Sequence, residues 1–448
     1  WPGWLCNDLS TIAKRVIPAA WIVSLCVLAI PPSIHGADSP NPAVTDIGSQ
    51  RELFVDDFLI ERCSVGAALR LHHPVPQNVI LRLDEPWEGS GSSGYQSVFR
   101  DGDIYRMYYK GWHIDLDAER KKIRSAPSAM CYAESDDGIH WRKPSLGIVE
   151  FEGSKDNNIV LADGPVPGMR IIAGLMAVTR DENPAAPPEA RYKAFCLSVK
   201  PRGIAPFQSA DGIHWKPMTD KPIIVDGAFD NQNVVFWNPN ENKYRAYWRY
   251  FINGDHNMAT PNPSGVRAIR TATSEDFLRW KEQENVTYGD APEVALYNTP
   301  IKPYNRAPHI LLGFPARYIE RDGPSSAALP EPEHRALRKS INKRYGTALT
   351  EGVFMASRNG VRFKRWEEAF LRPGPERPGT WNYGHQFISW HPVETKSALP
   401  GAPPELSLYA PESYWTGNGS VVRRYTLRLD GFVSLEAPMN GGELLTRP

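Results

Sequence analysis

The chain has 448 residues, and its 51 aspartates and glutamates balance its 51 lysines and arginines. This balance leaves no charge surplus to favour nucleic acid or an anionic membrane surface as a partner. The chain is rich in glycine (35), proline (41) and aromatic side chains (11%), a composition typical of β proteins with many turns.

The first predicted element is a secretory leader. Lys14 and Arg15 precede an apolar run over residues 19–30, and small residues follow around Gly36 and Ala37. This order predicts a signal peptide over residues 1–36 and a secreted or periplasmic protein. An uncleaved membrane anchor is the alternative, although the run is shorter than a spanning helix requires.

Cleavage of this leader leaves three cysteines, Cys63, Cys131 and Cys196, which allow at most one disulfide. Cys131 and Cys196 lie in apolar, strand-like runs, where a buried and unreactive thiol is expected. The cysteines and histidines lack the spacing of zinc ligands, so we predict no metal bound by them.

From residue 95 onward, strand patterns come in sets of about four, and one short motif ends four of these sets. Its copies are Ser135–Trp141, Ser209–Trp215, Ser274–Trp280 and Ser357–Phe363, with starts 74, 65 and 83 residues apart. This period is typical of four-stranded propeller blades with generous loops.

Each copy of the motif predicts a hairpin turn. Serine and aspartate side chains can bond nearby backbone amides, and glycine supplies a positive φ. We therefore expect Asp137, Asp211 and Asp276 to be structural, and the final ring of each motif to pack beneath its blade.

A fifth set of strand patterns follows without a recognisable motif, so the sequence predicts an all-β, five-bladed β-propeller of four-stranded antiparallel blades. Residues 317–345 are expected to form a helical or irregular insertion in blade four. We expect residues 37–94 to lead into blade one and residues 95–430 to form the propeller. Residues 431–448 are expected to begin a C-terminal segment, with a further domain beyond Pro448 left open.

Several segments together resemble a known group of proteins. These are the four motifs, residues 84–88 (Asp-Glu-Pro-Trp-Glu), residues 105–109 (Tyr-Arg-Met-Tyr-Tyr) and residues 428–432 (Arg-Leu-Asp-Gly-Phe). Over nearly the whole mature chain, the sequence resembles secreted five-bladed propellers of the invertase-like and arabinanase-like glycoside hydrolases. The resemblance implies catalytic carboxylates on the innermost strands. Invertase-like enzymes carry three acidic segments, Asn-Asp-Pro, Arg-Asp-Pro and Glu-Cys. Only Arg-Asp-Pro has a counterpart here, at Arg180-Asp181, with proline delayed to Pro184.

Hydrolysis of a glycosidic bond requires two carboxyl groups, about 5 Å apart for retention or roughly 6.5 to 9.5 Å apart for inversion. Acids near the starts of inner strands could meet in the axial mouth of a propeller. We predict Glu88, Asp181, Asp230 and Glu293 as these catalytic residues, with Glu293 as the acid and Asp230 as the base or nucleophile.

Each of these acids has a structural alternative. Glu88 could cap a turn or pair with an arginine, and Asp181 could be a solvated loop acid. Glu293 could protect an edge strand. Asp230 stands out because three amide side chains follow it, just before an apolar strand.

The predicted substrate-binding residues are Gln232, Asn233, Trp112, Arg249 and His385. Tryptophan faces stack on sugar rings and arginine bonds hydroxyl or acidic groups, although core packing is the commoner role of a single tryptophan. We expect no cofactor, while a structural Ca²⁺ in the axial channel stays open. The expected partner is a carbohydrate, not nucleic acid or, after leader cleavage, a membrane, and the oligomeric state is undetermined.

Three functions remain in competition. The first is a secreted glycoside hydrolase acting on a polysaccharide or oligosaccharide. The second is a non-catalytic carbohydrate-binding propeller, favoured by the missing Asn-Asp-Pro segment. The third is a sialidase-like enzyme, which requires an arginine cluster and a Tyr/Glu nucleophile pair, and which the five-blade count disfavours.

Overall fold

The computed structural model describes residues 44–92, 94–117, 119, 122–125, 127–254, 264–321, 329–415 and 420–448. Asp46–Arg447 form one compact unit. The other unit consists of Trp1–Thr45 and Pro448. In this unit, the backbone amide of Thr45 donates a hydrogen bond to the Pro448 carbonyl at 2.8 Å. The predicted leader lies outside the described residues. Among those residues, no helix has both the length and the apolar character of a membrane span.

The compact unit is a five-bladed β-propeller, which confirms the predicted fold class. The strands of each blade are given from the axis outward. Blade one contains Ser97–Asp101, Ile104–Gly111, Ala129–Ser135 and Ile159–Ala162, and Trp141–Arg142 also pairs with its third strand. Blade two contains Met169–Arg180, Tyr192–Lys200, Arg202–Ser209 and Lys216–Pro217, with Gly164–Val166 paired to its inner strand.

The remaining three blades repeat this antiparallel order. Blade three contains Val234–Asn238, Lys243–Ile252, Val266–Ser274 and Lys281–Asn285. Blade four contains Ile301–Tyr304, Ala307–Gly313, Met355–Ser357 and Lys364–Arg365. Blade five contains Val393–Thr395, Glu405–Glu412, Ser420–Arg428 and Val75–Leu83.

The ring is closed by a strand that precedes blade one in the sequence. Val75–Leu83 pairs with Ser420–Arg428, and Leu81 lies opposite Val422. The segment before residue 95 therefore supplies the outer strand of blade five, besides leading into blade one.

Shorter elements surround the blades. The paired strands are Ile60–Cys63 with Leu444–Thr446, Ala68–Leu71 with Val433–Glu436, Ile114–Asp117 with Lys122–Ser125, and Ala316–Ile319 with Leu349–Gly352. The helices are the 3₁₀ helix Pro188–Ala190 and the α-helices Pro332–Ile341 and Arg344–Thr347. The helix Pro332–Ile341 lies within the insertion predicted at residues 317–345, and the helix Arg344–Thr347 begins in it and ends two residues beyond it.

The repeated motif forms the expected turns. Asp137 Oδ1 accepts the amides of Ile139 and His140, both at 2.8 Å. Burial raises the pKa of Asp137, but these amides and the His140 and Ser135 side chains outweigh burial and hold it well below its usual value. Equivalent bonds are made by Asp211, Asp276 and, through its amide oxygen, Asn359. The structural role predicted for the motif aspartates is confirmed.

The final ring of each motif reaches the second strand of the preceding blade. The ring pairs and their centroid distances are Trp141–Tyr409 (5.7 Å), Trp215–Tyr108 (6.2 Å), Trp280–Phe195 (5.5 Å) and Phe363–Tyr247 (6.1 Å). The motif thus joins neighbouring blades, in addition to turning the chain within its own blade.

Tyrosine hydroxyls tie three of these interfaces together. The bonds run from Tyr409 to the Gly138 carbonyl (2.6 Å), from Tyr108 to Gly212 (2.9 Å) and from Tyr247 to Gly360 (2.7 Å). Between blades two and three, Phe195 replaces the tyrosine and Phe277 replaces the glycine, with ring centroids 5.4 Å apart. The two exceptions therefore meet at a single interface.

Blade five has its own turn after its third strand, although the sequence shows no recognisable motif there. Asp430 adopts a positive φ of 59°, and Phe432 packs on blade four, with its ring centroid 5.4 Å from that of Tyr304. Residues 430–432 (Asp-Gly-Phe) thus join blade five to blade four as the motifs join the other blades.

Candidate functional site

A cavity of about 230 Å³ lies at the end of the propeller axis where the inner strands begin. All five blades line it, through Tyr95, Leu175, Asp230, Tyr297 and Tyr383 in blade order. The other lining residues are Lys110, Trp112, Arg344, Tyr345, Gly384, Phe387 and Tyr414. We call this cavity the axial pocket.

Asp230 is the one carboxylate among the described residues that line the axial pocket. Its side chain is 34% exposed, and it accepts a hydrogen bond from Arg249 Nη2. Arg249 is buried and also donates from Nη1 to the Tyr297 carbonyl at 3.4 Å. This charge-assisted hydrogen bond orients the carboxylate of Asp230.

Tyr297 differs from Tyr95, Tyr383 and Tyr414, the other pocket tyrosines with shifted pKa values, because its pKa is lowered while theirs are raised. It accepts a hydrogen bond from the Tyr383 hydroxyl. Burial raises the pKa of Tyr297, but the positive charges of Arg344, Arg249 and Arg267 together lower it below the usual value. Tyr297 is therefore a more acidic phenol than an ordinary tyrosine.

Glu88 lies away from the pocket and is fully buried. Lys143 Nζ lies 2.7 Å from Glu88 Oε2, and the Tyr109 hydroxyl donates to Oε1 at 2.5 Å. Burial raises the pKa of Glu88, and Lys143 opposes this shift. Both carboxylate oxygens are thus occupied inside blade one.

Asp181 follows the inner strand of blade two at the end that points away from the pocket. It is buried, pairs with Lys193, and accepts the Tyr244 hydroxyl at 2.7 Å. Asp181 Oδ1 also accepts the backbone amide of Asn183, at 3.0 Å. Asp181 therefore joins blades two and three.

Glu293 is exposed on the loop before blade four and is not among the residues that line the pocket. The structure therefore does not bring Glu88, Asp181 and Glu293 together with Asp230. The four catalytic assignments stay predictions.

The predicted binding residues divide into lining and supporting positions. Trp112 lines the pocket, and Arg249 supports it through Asp230. Gln232 is buried beneath it and donates from Nε2 to the Tyr95 carbonyl at 3.0 Å. Asn233 is also buried and donates to the Phe229 carbonyl at 2.9 Å.

His385 is fully buried behind the pocket wall, with Nε2 3.4 Å from the Tyr414 carbonyl oxygen. Burial lowers its pKa to about 4, and the charge of Arg338 lowers it as well. A neutral, buried imidazole supports the wall and does not present itself to a ligand.

Asn231, Gln232 and Asn233, directly before the inner strand of blade three, each have a buried amide oxygen without a hydrogen-bond partner within the described part of the chain, as does Gln96 before the inner strand of blade one. Neutral oxygens of this kind are ligands that Ca²⁺ accepts. The described residues contain no cluster of three or more acidic, histidine or cysteine side chains that could hold a metal. The possibility of a structural Ca²⁺ in the axial channel stays open.

The sequence reasoning missed most of the lining, including Tyr95, Tyr297, Tyr383, Lys110 and Arg344. One pattern could have found two of them. Tyr95-Gln96-Ser97 and Tyr297-Asn298-Thr299 both place tyrosine, amide and hydroxyl directly before or at an inner strand, where Asp230-Asn231-Gln232 also lies. The sequence position of Asp230, shortly before an inner strand, therefore also identifies Tyr95 and Tyr297 as lining residues.

Fold and pocket together define a β-propeller with one aromatic-rich site at the axis. Neither a protein-family model nor a curated protein matches the sequence. Solved structures of similar arrangement include a thermostable family-43 glycoside hydrolase, at 12% identity and TM-score 0.44, covering 79% of this protein and 96% of that one. A glycosyl hydrolase from Bacteroides ovatus shows 12% identity and TM-score 0.46, covering 81% of this protein and 96% of that one.

A third solved structure, that of an RGII complex, shows 13% identity and TM-score 0.48, covering 82% of this protein and 93% of that one.

Proposed function

We propose that this protein is a glycoside hydrolase whose reaction takes place in the axial pocket. The observation that carries the proposal is the pairing of chemical types there: the Asp230 carboxylate, which accepts a hydrogen bond from Arg249, and the Tyr297 hydroxyl, whose pKa three arginines lower. Aromatic faces around them suit the C–H faces of sugar rings. The expected partner is accordingly a carbohydrate.

The two groups supply the two roles that glycosidic hydrolysis requires. Tyr297 donates its proton to the leaving oxygen, and the arginines together with the Tyr383 hydroxyl stabilise the resulting phenolate. Asp230 acts as the base for water or as the nucleophile. In this scheme Tyr297 replaces Glu293 as the acid.

A sialidase-like reaction is a variant of the same proposal. The arginines around Tyr297 are a feature that this class requires, whereas the five blades are not what it leads us to expect. The stereochemistry of the product, followed by NMR, separates a double displacement from direct attack by water.

The second candidate is a carbohydrate-binding propeller without turnover. The specific observation in its favour is that Asp230 alone contributes a carboxylate to the described lining of the pocket. Secretion belongs to both candidates and is proposed on the leader sequence of residues 1–36 alone.

The test is release of sugar from aryl glycosides and polysaccharides by the protein from Ala37 onward. We expect Asp230→Asn and Tyr297→Phe each to lower kcat about 100-fold or more, as for loss of a general acid or base. Asp230→Asn is preferred to alanine because it keeps an acceptor for the buried Arg249.

Glu293→Gln is the matched control, because it neutralises an exposed acid outside the pocket and should keep activity. Loss of turnover in Glu293→Gln alone would return the acid role to Glu293. A folded wild-type protein that binds a sugar but releases nothing from any substrate would favour the binding candidate.

A further inference from the structure

Two cations that line the axial pocket have no carboxylate partner within the described residues. They are Lys110, from the end of the second strand of blade one, and Arg344, from the helical insertion of blade four. The insertion thus places the positive charge of Arg344 in the same pocket as Lys110 of blade one.

Lys110 is largely buried where it lines the axial pocket. The residue is 9% exposed, and its Nζ lies 3.6 Å from the centroid of the Trp112 ring. It forms no ion pair or side-chain hydrogen bond with a described residue. Burying an ammonium group in this way is costly unless an anion compensates it.

The nearest acidic groups are already engaged elsewhere. Asp163 accepts the amides of Ser128 and Ala173, both at 2.7 Å, and Asp230 pairs with Arg249. Burial lowers the pKa of Lys110 to about 8, and the charges of Asp163 and Asp230 only partly oppose it. Lys110 therefore stays largely protonated at neutral pH and lacks a close counter-ion.

Arg344 is held in place by aromatic rings. Its guanidinium lies 5.0 Å from the Tyr345 ring centroid and 5.5 Å from that of Tyr383, and Nη2 donates to the Tyr345 hydroxyl at 3.1 Å. These contacts leave other N–H groups of a rigid, planar donor available. That donor geometry matches carboxylate and sulfate oxygens.

We propose that the axial pocket selects sugars that carry an anionic group, a carboxylate or a sulfate, and that Lys110 and Arg344 bind this group. The inference rests on the proposed function for its substrate and names the class of that substrate. The anion would supply the counter-charge that the described protein residues do not provide, so binding would remove the cost of the buried ammonium.

The experiment measures binding by calorimetry, so that it does not depend on turnover. The probes are galacturonic acid and glucuronic acid trimers, their carboxyl-reduced neutral forms, and a 6-sulfated galactose trimer. The variants are Lys110→Met and Arg344→Leu, which remove charge and keep apolar bulk. Lys302→Met is the matched control, because Lys302 lines a different cavity, at the opposite end of the inner strands.

We expect at least one anionic trimer to bind about tenfold or more tightly than its neutral form, as for a hydrogen bond to a charged group. Lys110→Met and Arg344→Leu should each remove most of this preference, and Lys302→Met should keep it. The uronate and sulfate arms identify which anion is preferred.

Equal or tighter binding of the neutral trimers to the wild-type protein would overturn the inference, and so would a failure of every anionic probe to bind at millimolar concentration. These wild-type comparisons stand even if a variant fails to fold. Anion-selective binding without sugar release would retain the inference and reject the hydrolase. Release of sugar from neutral and anionic substrates at equal rates would retain the hydrolase and reject the inference of anion selectivity.

Discussion

At the scale of single residues, burial and pairing determine which acidic side chains are available in the pocket. The sequence predicts Glu88 and Asp181 in the pocket because each precedes a predicted strand, but each pairs with a lysine away from it. Asp230 keeps a partly exposed carboxylate in the pocket lining, although its partner Arg249 is buried. Its position before an inner strand is readable from the sequence, whereas the pairing of the other acids is not.

The buried histidine His385 makes stability depend on pH. Its pKa is about 4 in the folded protein and near 6.5 when unfolded, so the unfolded chain binds its proton first as pH falls. We expect stability to be complete above about pH 6.5 and to decline between roughly pH 6.5 and 4, by up to a few kcal/mol.

The measurement is urea unfolding of wild type and His385→Gln across this pH range. The variant should show a flatter pH dependence, even if it is less stable throughout. Glu88 acts in the opposite direction, since burial raises its pKa, and it is present in both proteins. Parallel curves for the two proteins would contradict the assignment to His385.

At the scale of elements, the interface between blades two and three contains a matched pair of exceptions. Phe195 stands where other blades have tyrosine, and Phe277 stands where other motifs have glycine, with a positive φ of 70°. We expect Phe277→Gly to cost about 3 kcal/mol through the lost ring. Phe195→Tyr alone should also destabilise, because its hydroxyl would meet the Phe277 ring.

The double variant rebuilds the tyrosine–glycine bond seen at the other interfaces. Its loss of stability should be smaller than the sum of the two single losses by about 1 kcal/mol or more, as determined from a double-mutant cycle. Tyr247→Phe, which removes the same bond at the next interface, is the control and should cost about 1 kcal/mol. Strict additivity of the two phenylalanine variants would refute the coupling.

At the scale of the whole molecule, blade five depends on a strand from before blade one. A chain that begins at residue 84 lacks Val75–Leu83 and leaves Ser420–Arg428 as an unpaired edge. We expect this shortened protein to melt at a clearly lower temperature or to aggregate, because an unpaired edge strand promotes association.

A protein that begins at Asp46 is the control and should match the wild-type melting curve. Hydrogen exchange locates the effect, since Glu405–Glu412 and Ser420–Arg428 should lose protection first in the shorter protein. Unchanged stability and protection in the protein from residue 84 would show that closure does not require this strand.

The sequence by itself determined the five blades, their turns and the structural role of Asp137, Asp211 and Asp276. These features depend on local physics: a side chain bonding its own backbone, a positive φ at glycine, and strand patterns that recur at a fixed period. The insertion in blade four was visible for the same reason, since it interrupts that period.

Only the tertiary structure decided which residues meet at the axis. Tyr95, Asp230, Tyr297 and Tyr383 come from four blades and are far apart in the sequence, so their contact follows from ring closure and not from any local pattern. The same holds for Lys110 and Arg344, whose shared pocket exists because the insertion folds back over the axis. Charge pairing and burial are properties of neighbours in space, and a sequence orders only neighbours along the chain.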